Sequence, residues 1–181
     1  MSQEEIAVVV VVAVLGFWIL GAYNRLVRLR QSLTAAFAPL DGLFRERDVL
    51  LVELLNLAAP LLPDAPEAID AIDAARRQTR VAAEHALKRP VDAGPVASLV
   101  LTEQLLHTAV TRLLTLVKAR PAARTDPALR AQLKSLSTTQ HRLSASRHAF
   151  NAVVRDHNVA VQQFPTRLVA AMFGFQTAGE L

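Results

Sequence analysis

Residues 6–37 read IAVVVVVAVLGFWILGAYNRLVRLRQSLTAAF and join a membrane-length apolar run to an amphipathic helix. The apolar run, residues 6–23, contains no charged side chain. Its length of about 18 residues corresponds to roughly 27 Å of helix, which is enough to cross a bilayer core. Trp18 and Tyr23 lie toward its end, where amphipathic rings favour the membrane interface. We therefore predict a short tail over residues 1–5 and a transmembrane anchor over residues 6–23.

A cleaved signal peptide is the main alternative to an anchor. Signal peptides carry a basic segment before the apolar run and a small-residue cleavage site after it. Here Glu4 and Glu5 precede the run, and no convincing cleavage site follows it. A buried helix of a soluble protein is disfavoured because this run is apolar on every side. The sequence therefore favours a membrane anchor.

Arginines just after the apolar run indicate the orientation of the anchor. Arg25, Arg28 and Arg30 follow the run, whereas only acidic residues precede it. Positive charge is enriched on the cytoplasmic side of membrane helices. We therefore predict that the N-terminus lies outside and that the long C-terminal part is cytoplasmic. The predicted membrane-interface residues are Trp18, Tyr23 and the three arginines.

The composition limits the classes of protein to which the chain can belong. A length of 181 residues favours one domain, and the absence of cysteine excludes disulfides, thiol catalysis and Cys-ligated zinc. The formal charge is +4, and the basic residues are spread along the chain. Only 5% of the residues are aromatic, which leaves no stacking platform for single-stranded nucleic acid. We predict no nucleic-acid partner.

Beyond residue 23, apolar residues recur at alternating spacings of three and four, which is typical of a helix in a bundle or coiled coil. In the first helix they are Leu26, Leu29, Leu33, Phe37, Leu40, Phe44, Leu51 and Leu54. No turn signal separates the anchor from this pattern, so we predict one continuous helix. Pro39 interrupts the pattern without ending it, and we expect a bend there.

Proline-rich and glycine-rich segments divide the rest of the chain into further helices. The three predicted helices run over residues 66–88, 96–118 and 127–163. Asp64 is the predicted N-cap of the helix at 66–88, and Asp126 is the predicted N-cap of the helix at 127–163. No segment alternates with a period of two over strand length. The predicted fold is all-α, an N-terminal transmembrane helix continuous with an antiparallel four-helix bundle over residues 24–164. Residues 165–181 form a C-terminal tail that contains a short apolar segment, Leu168–Phe175. The sequence leaves open whether this segment packs on the bundle, touches the membrane interface or binds a partner.

Polar side chains interrupt the apolar seams of the first and last helices. These residues are Asp41, Arg47, Asp48, Arg147, Asn151, His157 and Asn158. A buried arginine without a partner is strongly unfavourable, so we expect pairing between helices. We predict that Asp41 or Asp48 pairs with Arg147, and that Asn151 or Asn158 bonds across the bundle. Such polar layers can set helix register, and a pocket for a ligand or partner is the alternative interpretation.

The sequence offers little support for catalysis or metal binding. His141 and His148 are two helical turns apart, roughly 10 Å, which is too far for one metal. The sequence contains no HExxH, GxSxG, GxxxxGK[ST] or GxGxxG motif. Asp70 and Asp73 lie on an arginine-rich face and are interpreted as solvated ion pairs. We predict no catalytic residue, no metal ion and no cofactor.

Two blocks resemble the LemA family. YNRLVRLRQSLTAAFAPLDGLFRERDVLLVELL, Tyr23–Leu55, is similar to the basic helix that follows the anchor in that family. SRHAFNAVVRDHNVAVQQFPTRLVAAMFGF, Ser146–Phe175, is similar to its Arg-x-x-Tyr-Asn…Tyr-Asn…Phe-Pro…Phe-Gly-Phe signature. The chain departs from the pattern because Phe150 and His157 replace the two signature tyrosines and Phe37 replaces a tryptophan.

The resemblance implies a short external N-terminus, a transmembrane helix and a domain of long antiparallel helices, but no reaction. The family includes a magnetosome-membrane protein, which makes a membrane-organising or adaptor role the expected one. We therefore expect a single-pass protein of the bacterial inner membrane that acts as a non-enzymatic scaffold for other proteins. A membrane-tethered enzyme and a lipid-binding or small-ligand-binding protein are the alternatives. The sequence leaves the partner and the oligomeric state open.

Overall fold

The computed structural model describes residues 2–181, apart from the side chain of Arg124. This part of the chain contains six α-helices, one short 3-10 turn at Ala59–Leu61 and no strand, which confirms the predicted all-α class. The helices are α1 (Gln3–Ala58), α2 (Pro66–Lys88), α3 (Ala93–Lys118), α4 (Pro121–Thr125), α5 (Pro127–Gln162) and α6 (Thr166–Phe173).

Helix α1 joins the apolar run to the bundle without a break, as predicted. It contains 56 residues, which corresponds to about 84 Å, and it continues through Pro39. A capping box starts it, because the Ser2 hydroxyl accepts from the Glu5 amide at 3.2 Å and the Glu5 carboxylate accepts from the Ser2 amide at 2.9 Å. Within the described residues, α1 is the one helix long and apolar enough to cross a membrane. Residues 2–18 are exposed, so the bundle covers none of that segment.

The bundle is assembled in the order α5, α1, α2, α3. Helix α5 packs along α1, α2 packs on α1, and α3 packs on α2, whereas α3 and α5 approach each other closely at few points. We call the end of the bundle near Leu26 proximal and the end near Ala58 distal. Buried apolar side chains form three clusters that follow one another along this axis. The order of packing leaves a gap between α3 and α5, the α3–α5 groove.

Several predicted helix boundaries are correct, and two details are wrong. Helix α2 has the predicted bounds, but its N-cap is Ala65, because the Asp64 carboxylate binds Arg120 at 2.6 Å instead of capping the helix. Helix α3 starts three residues earlier than predicted, at Ala93. Pro95 is tolerated there because the amides of a first helical turn have no intrahelical partner.

The C-terminal half follows the prediction more closely. Asp126 caps α5 as predicted and accepts from the amide of Ala128 at 2.8 Å. The short helix α4 occupies part of the predicted loop. The predicted apolar segment of the tail is the helix α6, which ends at Gly174 in the left-handed conformation that glycine adopts readily, with φ +70°. The remaining residues, 175–181, form a non-helical stretch that we call the terminal segment.

Candidate functional site

Three charged side chains from three helices meet at the centre of the bundle. Arg47 of α1 donates to the Glu103 carboxylate of α3, with one N–O distance of 2.8 Å, and Arg147 of α5 donates to the same carboxylate. The side chains of Arg47 and Glu103 are 8% and 9% exposed. Both guanidinium groups lie beside the Phe44 ring, at 5.4 and 5.9 Å from its centroid. This charge cluster joins α3 and α5 across their groove.

The two arginines control the ionisation of Glu103. Burial alone raises the pKa of this carboxyl, because the charged form loses water. Hydrogen bonds and positive charge from Arg47 and Arg147 outweigh that effect and hold the pKa of Glu103 below its ordinary value. The carboxylate is therefore ionised at neutral pH and compensates the buried guanidinium group of Arg47 and the half-buried one of Arg147.

The prediction that Asp41 or Asp48 pairs with Arg147 was wrong. Asp48 accepts from Arg76 of α2 at 2.9 Å, and Asp41 accepts from Arg45 one turn along its own helix, also at 2.9 Å. The reason is geometric, since α1 presents Asp48 to α2 and presents Arg47 to the α3–α5 side. Both aspartates line a cavity of about 330 Å³ between α1 and α2.

Glu103 is the residue that sequence reasoning missed. In the stretch LVLTEQLL it follows Leu99 by four residues and precedes Leu106 by three, which is the spacing of core positions. Leu99 and Leu106 are both buried. An acidic residue in a core position requires a cationic partner, so this spacing could have identified the third member of the cluster.

Asn151 and Asn158 hold the terminal segment. The prediction that one of them bonds to another helix across the bundle was wrong. The Asn158 side chain accepts from the Ala178 amide at 2.8 Å and donates to the Ala178 carbonyl at 2.9 Å. Asn151 makes the same pair of bonds with Leu181, at 2.8 and 2.7 Å. Each amide side chain thus satisfies both backbone groups of one residue.

The spacing of the two asparagines matches the spacing of the backbone that they hold. Seven helical residues advance roughly 10.5 Å, and three residues of an extended chain advance roughly 10 Å. Asn158 lies opposite Ala178 and Asn151 lies opposite Leu181, so the terminal segment runs antiparallel to α5. His157, which is fully buried as expected for a seam residue, contacts the Gln176 carbonyl through Nε2 at 3.0 Å. Because a carbonyl accepts, Nε2 carries the hydrogen.

The terminal segment fills the proximal half of the α3–α5 groove. Ala178 is buried in the same apolar cluster as Leu99 and Phe150. At Gly179 a methyl group would lie 3.2 Å from the Ala93 Cα atom and 3.3 Å from the Val96 Cβ atom, so only glycine fits without a shift. The backbone therefore approaches α3 on one side and the α5 asparagines on the other.

The distal half of the groove is open. It forms a cavity of about 710 Å³ between α3 and α5, and Leu181 lies where the filled half meets the open half. Its apolar lining consists of Leu51, Val100, Leu106, Val110, Leu114, Leu133, Leu136 and Leu181. Arg47, Arg147 and Lys118 supply positive charge and Glu103 supplies negative charge, so that cationic side chains predominate in the lining. The cavity therefore suits a ligand or peptide that has both apolar groups and a negative charge.

The described residues offer no metal site, since no group of three or more His, Asp or Glu side chains could hold an ion.

The predicted membrane-interface residues all lie on α1. Trp18, Arg25, Arg28 and Arg30 lie along its length, and Tyr23 contacts the rings of Phe173 and Phe175 with centroid distances of 4.9 and 5.9 Å. Their position relative to a bilayer stays a prediction.

Comparison with known proteins agrees with the family resemblance. No curated protein matches the chain. The sequence model of the LemA family matches residues 36–181, which include most of the bundle, all three residues of the charge cluster and the terminal segment. Because this match covers most of the chain, the protein belongs to the LemA family.

Proposed function

We propose that this protein is a non-enzymatic adaptor of the bacterial inner membrane, anchored by residues 6–23, that receives a segment of a partner protein in the open half of the α3–α5 groove. The open groove is the observation that carries the proposal. A concave cavity with a mostly apolar lining and a few charged groups is the usual form of a binding site. The candidate membrane-spanning part of α1 supports the anchor, and the arginines that follow it support a cytoplasmic bundle.

The filled half of the groove supports a polypeptide as the occupant of the open half. The terminal segment shows that a peptide of small residues fits between α3 and α5. The open half continues the same gap and has an apolar floor with a surplus of positive charge. We therefore expect the partner segment to combine apolar side chains with at least one acidic group near Lys118.

Site-specific photocrosslinking in living cells tests this proposal. A photoreactive residue replaces Gln140 or Thr111, which line the groove, or Leu105, which lies on α3 outside the groove and is 57% exposed. We expect a discrete protein adduct from the two groove positions and none from position 105. Lys118→Glu should weaken that adduct, because it removes the charge that attracts an acidic partner.

Two results would contradict the adaptor proposal. Equal adducts from all three positions would show that the groove has no selectivity. Adducts to lipid alone would favour the second candidate, a lipid-binding protein, which the size and apolar lining of the groove also suit.

The orientation can be tested because the chain has no cysteine. Single substitutions Ser2→Cys and Ser98→Cys place thiols before the apolar run and at an exposed position on α3. We expect an impermeant maleimide to label position 2 in cells with a permeabilised outer membrane and to label position 98 only after lysis. The reverse pattern would overturn the proposed topology.

A further inference from the structure

Helix α6 packs against α1 at the end of the apolar run. Val169 and Ala170 are buried in a cluster with Ala22 and Leu26 of α1. At the C-terminal end of α6, the Phe173 ring lies 4.9 Å from the Tyr23 ring. One face of α6 is therefore fixed to the turn of α1 where the predicted membrane span ends.

The opposite face of α6 is apolar and uncovered. Leu168 and Met172 are one turn apart and 52% and 71% exposed, and Phe164, just before the helix, continues the row at 67%. These three large apolar side chains form a continuous stripe that water solvates poorly.

We infer that α6 is an interfacial helix whose stripe, Phe164, Leu168 and Met172, lies at the boundary between lipid headgroups and acyl chains. The inference rests on the proposed membrane anchor. A short helix with one strongly apolar face and basic neighbours binds in the plane of a bilayer surface. Here the apolar residues insert among the upper acyl chains, and the other face of α6 holds the bundle.

The position of α6 and the charge of Arg167 favour a bilayer over a protein as the partner that covers the stripe. The exposed apolar surface of α1, which includes Phe17 and Leu20 at 76% and 55% exposure, ends beside α6. A membrane that covers that surface reaches the level of Tyr23 and so the level of α6. Arg167 lies over the Phe164 ring at 5.9 Å, and it is placed to meet anionic lipid phosphates.

An interfacial α6 would hold the bundle close to the membrane at a fixed tilt. A single transmembrane helix leaves the attached domain free to rotate about its axis. A second contact beside that helix removes this freedom and determines which side of the bundle faces the bilayer. It would also set the height of the α3–α5 groove above the membrane.

Spin-label accessibility in lipid vesicles tests this inference with the full chain. Labels are attached to the single-cysteine variants Leu168→Cys and Met172→Cys in vesicles that contain zwitterionic and anionic lipids. Val12→Cys serves as the reference inside the apolar run, and Leu105→Cys serves as an exposed reference on α3. The accessibility of each label is measured with two paramagnetic probes, oxygen and a nickel chelate. Oxygen partitions into the bilayer, whereas the nickel chelate stays in water, so the two accessibilities together show whether a label lies in lipid.

We expect the labels at positions 168 and 172 to lose nickel accessibility and gain oxygen accessibility relative to position 105. If the labels at positions 168 and 172 had the same nickel and oxygen accessibilities as position 105 while position 12 was lipid-like, the inference would be overturned and the anchor would stand. A water-like profile at position 12 would overturn both. Spin–spin broadening at position 172 that disappears on dilution with unlabelled protein would overturn it in favour of a second copy as the occupant.

Discussion

The two halves of the α3–α5 groove are built by the same pair of helices but have different occupants. In the proximal half, Asn151 and Asn158 bind the backbone of the terminal segment, and Ala178 enters the core. In the distal half, Gln140 lines an open cavity above an apolar floor. The charge cluster around Glu103 lies between them. The difference shows that the proximal gap between α3 and α5 is closed by added peptide and not by closer helix packing.

The largest effect should come from the charge cluster on which both halves depend. Glu103→Gln leaves two guanidinium groups near the core without a counter-charge, and breaking such a buried pair costs about 3–5 kcal/mol. Urea unfolding of the full chain in detergent, followed by helical circular dichroism, measures this loss. The control is Glu67→Gln, which removes a pair with both side chains more than half exposed. It should cost less than about 1 kcal/mol.

The pH dependence of stability provides a second measurement of the same cluster. The pKa of Glu103 is lower in the folded protein than its ordinary value of 4.5, so the unfolded chain binds this proton more tightly. The resulting stabilisation is present above that ordinary value and is lost as the pH falls through the lower folded value. We expect Glu103→Gln to reduce this acid-side slope. An unchanged slope in the variant would mean that other carboxyl groups account for the acid sensitivity.

The asparagines should give the next largest effect, confined to the filled half. Asn158→Ala leaves the amide and carbonyl of Ala178 without partners, which costs about 1–3 kcal/mol. Hydrogen exchange of the Ala178 and Leu181 amides should accelerate, because the terminal segment detaches more often. Amides in α2 should keep their protection. If Asn158→Ala left exchange at residues 178–181 unchanged, the asparagine bonds would not hold the segment in place.

A methyl group at position 179 tests the close approach of the terminal segment to α3. Gly179→Ala forces the segment or the start of α3 to shift, because backbone of Ala93 lies 3.2 Å from the added atom. We expect a loss of about 1–2 kcal/mol, as for overpacking in a core. Gly42→Ala is the matched control, since the added methyl group meets open space in α1 and should stabilise the helix by about 0.5–1 kcal/mol.

The long helices were predictable from sequence, but the filled groove was not. The spacing of Leu33, Phe37 and Leu40 repeats over many turns of α1. The buried face of this helix can therefore be identified from residues that are close together in the sequence. Arg147 was correctly expected to need a charged partner, yet its choice of Glu103 over Asp48 depends on the order in which the helices pack. The partners of Asn151 are backbone atoms thirty residues away, and no side-chain pattern marks them.

The smallest effect should come from Gln140→Ala in the open half. Gln140 is exposed and lines the distal cavity, so its loss should change stability by no more than about 0.5 kcal/mol. Asn151→Ala, on the same helix, should cost several times more, because its side chain holds the backbone of Leu181. Urea unfolding of both variants under identical conditions compares the two halves directly. A loss from Gln140→Ala as large as the one expected for Asn151→Ala would mean that Gln140 has a partner in the purified protein, and the search for that ligand would then begin with material that copurifies.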